Sequence, residues 1–66
     1  MVRFVKLTHR KGEPIYINPG KVISVAPVYD DRNDEAGSAV TTERGTVVTT
    51  EFCGDVVEKL TIAGGL

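Results

Sequence analysis

Catalysis by side chains needs a nucleophile, a base and a group that orients the base, and this sequence offers one histidine and one cysteine for those roles. His9 stands in the basic run His9-Arg10-Lys11 and reads as a surface loop histidine. Cys53 falls at a predicted helix start, where a thiol gains thiolate character; a small apolar residue packed under that helix is the simpler reading. The two together are too few for a zinc site, which takes four such ligands, and a lone cysteine forms no internal disulfide. Asp31, Asn33 and Glu35 alternate like the opening of a calcium loop, yet Ala36 stands where that loop needs Gly and no Glu stands at the twelfth position. No glycine pattern suited to a phosphate is present. The expectation is a protein that is not an enzyme and that uses no metal or cofactor.

Binding chemistry is better represented. Arg3, Lys6, Arg10, Lys11 and Lys21 occupy the first third of the chain against Glu13 alone, whereas Asp30, Asp31, Asp34 and Glu35 gather around Arg32. A basic edge and an acidic loop could oppose each other between subunits, although mixed surface charge is also what an ordinary solvated domain carries. The basic strand and turn, with Phe4 and Tyr16 nearby, could track a phosphate backbone and stack a base. A net charge of −1 is unlike domains that rely on counterion release, so a protein partner is expected ahead of a nucleic acid. The residues expected to meet it are His9, Arg10, Lys11 and Tyr16, together with Tyr29, Asp30 and Asp31 in an exposed loop.

The elements that position these residues follow from periodicity. Val2 to Thr8 alternates, with Arg3, Val5 and Leu7 on one face, and predicts a strand. His9 to Glu13 is a polar turn in which Gly12 is free to take a positive φ, and Pro14 to Asn18 resumes the alternation to complete a hairpin. Asn18-Pro19-Gly20-Lys21 predicts a tight or 3₁₀-like turn, since Asn caps with its side-chain oxygen and Pro presets φ. A third strand runs from Val22 to Val28. Tyr29 to Ser38 lacks apolar periodicity and reads as a mobile loop. Ala39 to Thr42 and Thr46 to Glu51 are β-prone, joined by Glu43-Arg44-Gly45. From Phe52 or Cys53, Val56, Val57 and Leu60 recur at helical spacing, and Ala63-Gly64-Gly65 ends a helix of two to three turns.

The expected fold is mainly β: a small antiparallel five-stranded sheet or open barrel covered by one short C-terminal helix. Residues 1–63 form a single domain and 64–66 a flexible tail. Phe4, Val5, Leu7, Ile15, Ile17, Ile23, Val25, Val48, Val56, Val57 and Leu60 are the expected core. A chain of 66 residues buries only about 60% of its unfolded surface, and small domains compensate with disulfides, metals or further subunits. With the first two missing, a homo-oligomer is expected. The opening Met1-Val2-Arg3-Phe4-Val5-Lys6 is too short and charged for a signal peptide, and no apolar run has the length of a membrane span. A cytoplasmic protein is the expectation.

Val5-Lys6-Leu7-Thr8, then Gly12, then Tyr16-Ile17-Asn18-Pro19 with Val22 or Ile23 resemble the opening of the FlbD/SwrD-like family of small bacterial flagellar and swarming proteins. There a strand ending in Leu-Thr, a Gly turn and an aromatic-Leu-Asn-Pro-x-x-Ile segment recur in this order. Gly45, Val47-Val48, Glu51 and Val56 to Leu60 are similar to that family's later turn, last strand and final helix. The departures are the longer acidic segment Asp30 to Ser38, and Phe52-Cys53-Gly54 in place of a Ser-led helix start, which leaves a weaker N-cap. The resemblance implies an interaction module with a flagellar or swarming accessory role, or a prophage-encoded relative of unknown role. Leu7-Thr8-His9-Arg10, Gly12-Glu13 and Ile15 to Ile17 are also similar to the first hairpin of the carbon storage regulator (CsrA) family, RNA-binding dimers of five strands and a helix. Thr49-Thr50-Glu51 is neutral then acidic where that family places a basic residue for RNA.

Overall fold

The computed structural model describes residues 3–64. Val2, expected in the first strand, and Gly65 and Leu66 of the expected tail lie outside the described residues. The order is β1 (Val5–Thr8), β2 (Pro14–Ile17), a 3₁₀ turn at Pro19–Lys21, β3 (Val22–Tyr29), β4 (Glu35–Thr42), β5 (Gly45–Thr49) and α1 (Cys53–Ile62). The chain is mainly β with a C-terminal helix, as expected, but the single five-stranded sheet or barrel is not what forms. β1 and β2 make one antiparallel pair, and β3-β4-β5 make a separate antiparallel sheet.

The reason for the split is where β5 stops. β1 meets β5 at an antiparallel bridge between His9 and Thr49, flanked by Arg10 N donating to the Val48 carbonyl (3.2 Å) and Thr50 N donating to the Thr8 carbonyl (2.9 Å). Moving back along β1 means moving forward past Thr49, where the chain bends and enters α1. The rest of β1 has no β5 residue opposite it and pairs with β2 alone.

Local chemistry builds the first hairpin, although the strand expected from Val2 starts at Val5 and leaves Arg3 and Phe4 exposed outside it. In β1 Val5 and Leu7 are buried and Lys6 is exposed. Gly12 takes φ 93° and the hairpin closes through His9 N donating to the Glu13 carbonyl at 2.7 Å. Asn18 Oδ1 accepts from Gly20 N at 3.0 Å, with Pro19 opening the 3₁₀ turn.

The expected loop from Tyr29 to Ser38 is a correction. Tyr29 pairs with Glu35, so only residues 30–34 form the turn and Glu35 to Ser38 belong to β4. Asp30 Oδ1 accepts from Arg32 N (2.9 Å) and Asp34 N (3.0 Å), Asp30 N donates to the Asp34 carbonyl, and Asn33 takes φ 66°. Short polar side chains that bond their own backbone close turns in this way. Pairing between Val28 and Tyr29 skips a residue on the partner strand, leaving Ala36 as a bulge that reverses the face on which Glu35 lies. Glu35 thereby reaches the helix: its Oε2 accepts from Cys53 N at 2.7 Å, while the N-cap residue Phe52 supplies no side-chain bond.

Leu7, Val40, Val56 and Leu60 are fully buried, with Val5 and Ile17 nearly so; Ile15, Val22, Val25 and Ala63 pack against them. Burying each Val or Leu is worth about 1.5–3 kcal/mol. α1 packs on β3, β4 and β1. Three expected core residues are exposed instead: Phe4 (65%), Ile23 (68%) and Val57 (39%). Phe4 precedes the first strand, Ile23 is the extra residue where the β3 register shifts between Val22 and Ser24, and Val57 flanks the stripe on which Val56 and Leu60 face the sheet. Val48 and Cys53 are half-buried. The two buried polar side chains among the described residues, Ser38 and Thr49, bond to each other at 2.9 Å, and Ser38 Oγ also donates to the Glu51 carbonyl at 2.9 Å.

At Gly37 a β-carbon would lie 2.1 Å from the Thr49 carbonyl oxygen, whereas nothing lies within 4 Å of one at Gly54 in α1. Gly37→Ala is expected to cost at least about 2 kcal/mol of unfolding free energy, and Gly54→Ala to add up to about 0.5 kcal/mol, both read from urea denaturation midpoints. By the same measurement Glu35→Ala should cost about 1 kcal/mol through loss of the helix cap; an unchanged midpoint would show that the cap is idle.

Candidate functional site

Because the hairpin parts from β5 beyond the His9 bridge, an open cleft lies between β2 and the β4–β5 hairpin. It consists of two grooves. One, of about 460 Å³, is lined by His9, Arg10, Glu13, Pro14, Ile15 and the β5 residues Thr46 to Val48. The other, of about 570 Å³, runs from Phe4 past Ile15, Tyr16 and Ile17 to Lys21, Glu43, Arg44 and Val47. Ile15 and Val47 line both, so the grooves meet over a half-buried apolar floor. Tyr16 and Phe4 stand exposed beside that floor.

The register explains these placements. Leu7 opposes Ile15 and Lys6 opposes Tyr16, so β2 alternates between contributing to the interior and presenting an aromatic ring. On the other wall, Val40 opposes Val47, and Thr42 opposes Gly45, which leaves Glu43 and Arg44 as the loop at the rim. Lys21 Nζ lies 3.5 Å from Glu43 Oε1 with both side chains well exposed, a contact worth at most about 1 kcal/mol. It is the one ion pair among the described residues, and Arg10 and Arg44 against Glu13 leave the cleft rim with one positive charge in excess.

His9, Arg10 and Tyr16 are thus brought together in one cleft. Lys11 sits exposed in the adjoining turn, where its amide donates to His9 Nδ1 at 3.1 Å, and lines neither groove. Tyr29, Asp30 and Asp31 lie at the β3–β4 tip and line neither groove. Sequence reading missed Arg44 and Val47 as cleft residues, and it named Lys21 only as part of the basic edge and Phe4 only as core or as an aromatic beside the basic strand. Phe4 looked like core because it is large and next to a strand; Arg44 carried a signal, since a cation beside a hairpin glycine is bound to be exposed.

Glu51 holds the cleft's corner in place. Thr8 N donates to both carboxylate oxygens, at 2.9 and 3.1 Å, one residue before the His9 bridge. Partial burial acts to raise the Glu51 pKa, but the Thr8 amide, the residue's own amide, the Thr8 hydroxyl and the charge of Lys59 together outweigh it and bring the carboxyl below its ordinary 4.5. Among the described residues no group of three His, Cys, Asp or Glu side chains is placed to hold a metal ion, and no helix is long and apolar enough to cross a membrane. The cleft can seat an extended chain, with apolar contact along its floor, aromatic contact at Tyr16 and Phe4, and charge selection at its rim. No family model, curated protein or solved structure matches this chain.

A carboxyl held below its ordinary value stabilises the fold above the unfolded-state pKa, and that contribution is lost as pH falls through the folded-state value. The wild-type chain should therefore lose more stability than Glu51→Gln between about pH 6 and about pH 3, measured as thermal unfolding midpoints at each pH. Parallel curves for the two proteins would remove Glu51 from this role.

Proposed function

We propose that the chain is a non-catalytic interaction module of the flagellar or swarming accessory type that its sequence resembles, and that it holds an extended segment of a partner protein in the cleft. The observation that carries this reading is the junction of the two grooves over Ile15 and Val47, with Tyr16 and Phe4 exposed at the side. β5 supports it. It is an edge strand of the three-stranded sheet, and beyond the His9–Thr49 bridge and the two backbone bonds that flank it its cleft edge pairs with no strand among the described residues. An added strand would gain main-chain bonds there and specificity from the flanking aromatic side chains. Arg10 and Arg44, the rim cations not paired with Glu43, favour a partner segment that carries carboxylates near them.

Arg10, Arg44 and Tyr16 on one cleft also favour a second reading, a regulator that binds single-stranded RNA through phosphates and one stacked base. The two readings separate experimentally. A photo-reactive benzoylphenylalanine at Tyr16 should yield discrete protein adducts in the source cells, absent when the same group replaces the exposed Glu58 and lost on adding Val47→Asp. Identical adducts from both positions would sink the cleft. Binding of a mixed-sequence RNA 20-mer with a log–log salt slope of about −1 to −2, weakened by Arg10→Gln and Arg44→Gln, would replace the peptide reading. The accessory role predicts reduced swarming on deletion of the gene, reproduced by Tyr16→Ser with Val47→Asp; unchanged motility removes that role alone.

A further inference from the structure

A second surface lies outside the cleft reading and does not depend on it. At the C-terminal end of α1, Arg3, Phe4, Lys6, Lys59 and Ile62 line a groove of about 280 Å³. Phe4 borders the cleft as well; Ile62, 73% exposed, does not. Three cations line this groove and no carboxylate does. Lys59 has the Glu51 carboxylate nearby, and with Ile62 it borders a neighbouring groove that Glu51, Asp55 and Glu58 line, but Arg3 and Lys6 form no ion pair among the described residues; apolar surface edged by these two cations calls for an occupant that is aromatic or aliphatic and acidic.

The chain carries such an element. The β3–β4 tip presents the exposed Tyr29 followed by Asp30, Asp31 and Asp34, all exposed, against Arg32 as its one cation. The tip cannot fold back onto its own groove. It is tied to the helix start by the Glu35 carboxylate on Cys53 N and closed by the Asp30 bonds, while the groove lies at the other end of a helix of ten residues, about 15 Å away. We infer that the groove receives the β3–β4 tip of a second copy of this chain, Tyr29 lying against Phe4 and Ile62, and Asp31 and Asp34 meeting Arg3, Lys6 and Lys59. Pairing of copies along the open edge of β3 is the disfavoured alternative, because Pro27 lacks an N–H and the register shift at Ile23 interrupts the ladder.

Contacts built on exposed ion pairs around a small apolar centre are weak and salt-sensitive. Sedimentation equilibrium should show association with a Kd of about 10 µM to 1 mM, weakened about tenfold or more on raising salt from about 0.05 M to 0.5 M. Asp31→Lys with Asp34→Lys should weaken it by a further factor of at least about ten, and so should Arg3→Glu with Lys6→Glu; Lys59 is spared because it faces Glu51. A chain carrying all four changes should regain the wild-type Kd to within about threefold, and a mixture of the two reversed chains should form a heteromeric complex, which tests the contact even where the four-fold variant fails to fold. Circular dichroism of each protein checks that it is folded. A wild-type chain that is monomeric at about 1 mM in low salt, or association insensitive to both reversals, would overturn the inference. Neither result bears on the cleft, since Asp31, Asp34, Arg3 and Lys6 line neither of its grooves.

Discussion

Where β5 ends, β1, the three-stranded sheet and the segment that leads into α1 are held together by one backbone corner. Thr8 N lies on the Glu51 carboxylate, Thr50 N on the Thr8 carbonyl, and the Ser38 hydroxyl on both Thr49 and the Glu51 carbonyl. Gly37 lies beneath them, with no room for a side chain under the Thr49 carbonyl. Apart from the exposed Thr50, these residues are buried or half-buried, where a polar group is costly to leave without a partner. In this geometry β1 is anchored at one end, the chain turns into α1, and the helix lays Val56 and Leu60 over the sheet.

The same corner creates the cleft. A hairpin attached to β5 through one bridge diverges from it, and what would have been an interior seam between β1–β2 and β5 becomes an accessible groove floored by Ile15 and Val47. A barrel would have closed that seam and removed the exposed edge. The chain instead leaves Phe4, Tyr16, Tyr29, Phe52 and Ile62 at its surface, a large apolar exposure for so few residues, and two of those positions lie in the cleft while two more belong to the proposed contact between copies. Exposure and association are linked: a core of six buried apolar side chains among the described residues leaves the remaining aromatic surface for other molecules.

The first half of the chain was legible because its signals are local. Alternation of Val5, Lys6 and Leu7, the freedom of Gly12, and the Asn18-Pro19 turn each act within a few residues, and each forms as read. β4 was not legible along its whole length. Glu35-Ala36-Gly37-Ser38 carries neither apolar periodicity nor β-branched residues, and it is a strand because Asp30 closes a tight turn and β3 and β5 lie on either side of it. The weak N-cap at Phe52 was visible in the sequence; its remedy, the Glu35 carboxylate 18 positions earlier, was not, since it depends on a one-residue bulge at Ala36.

By itself, then, the sequence determined the element types and most of their order, the segregation of basic and acidic charge, and the grouping of His9, Arg10 and Tyr16 on one hairpin, because all of these follow from short-range backbone preference and side-chain spacing. Only the tertiary structure decided that the five strands divide two and three, that Val40 enters the core while Phe4, Ile23 and Val57 leave it, and that Arg44 and Val47 join the hairpin across a cleft that Tyr29 to Asp31 do not reach. Those outcomes turn on register, on two bulges and on the point at which β5 gives way to α1. Each is set by which distant backbone groups find partners, a condition that no window of neighbouring residues contains.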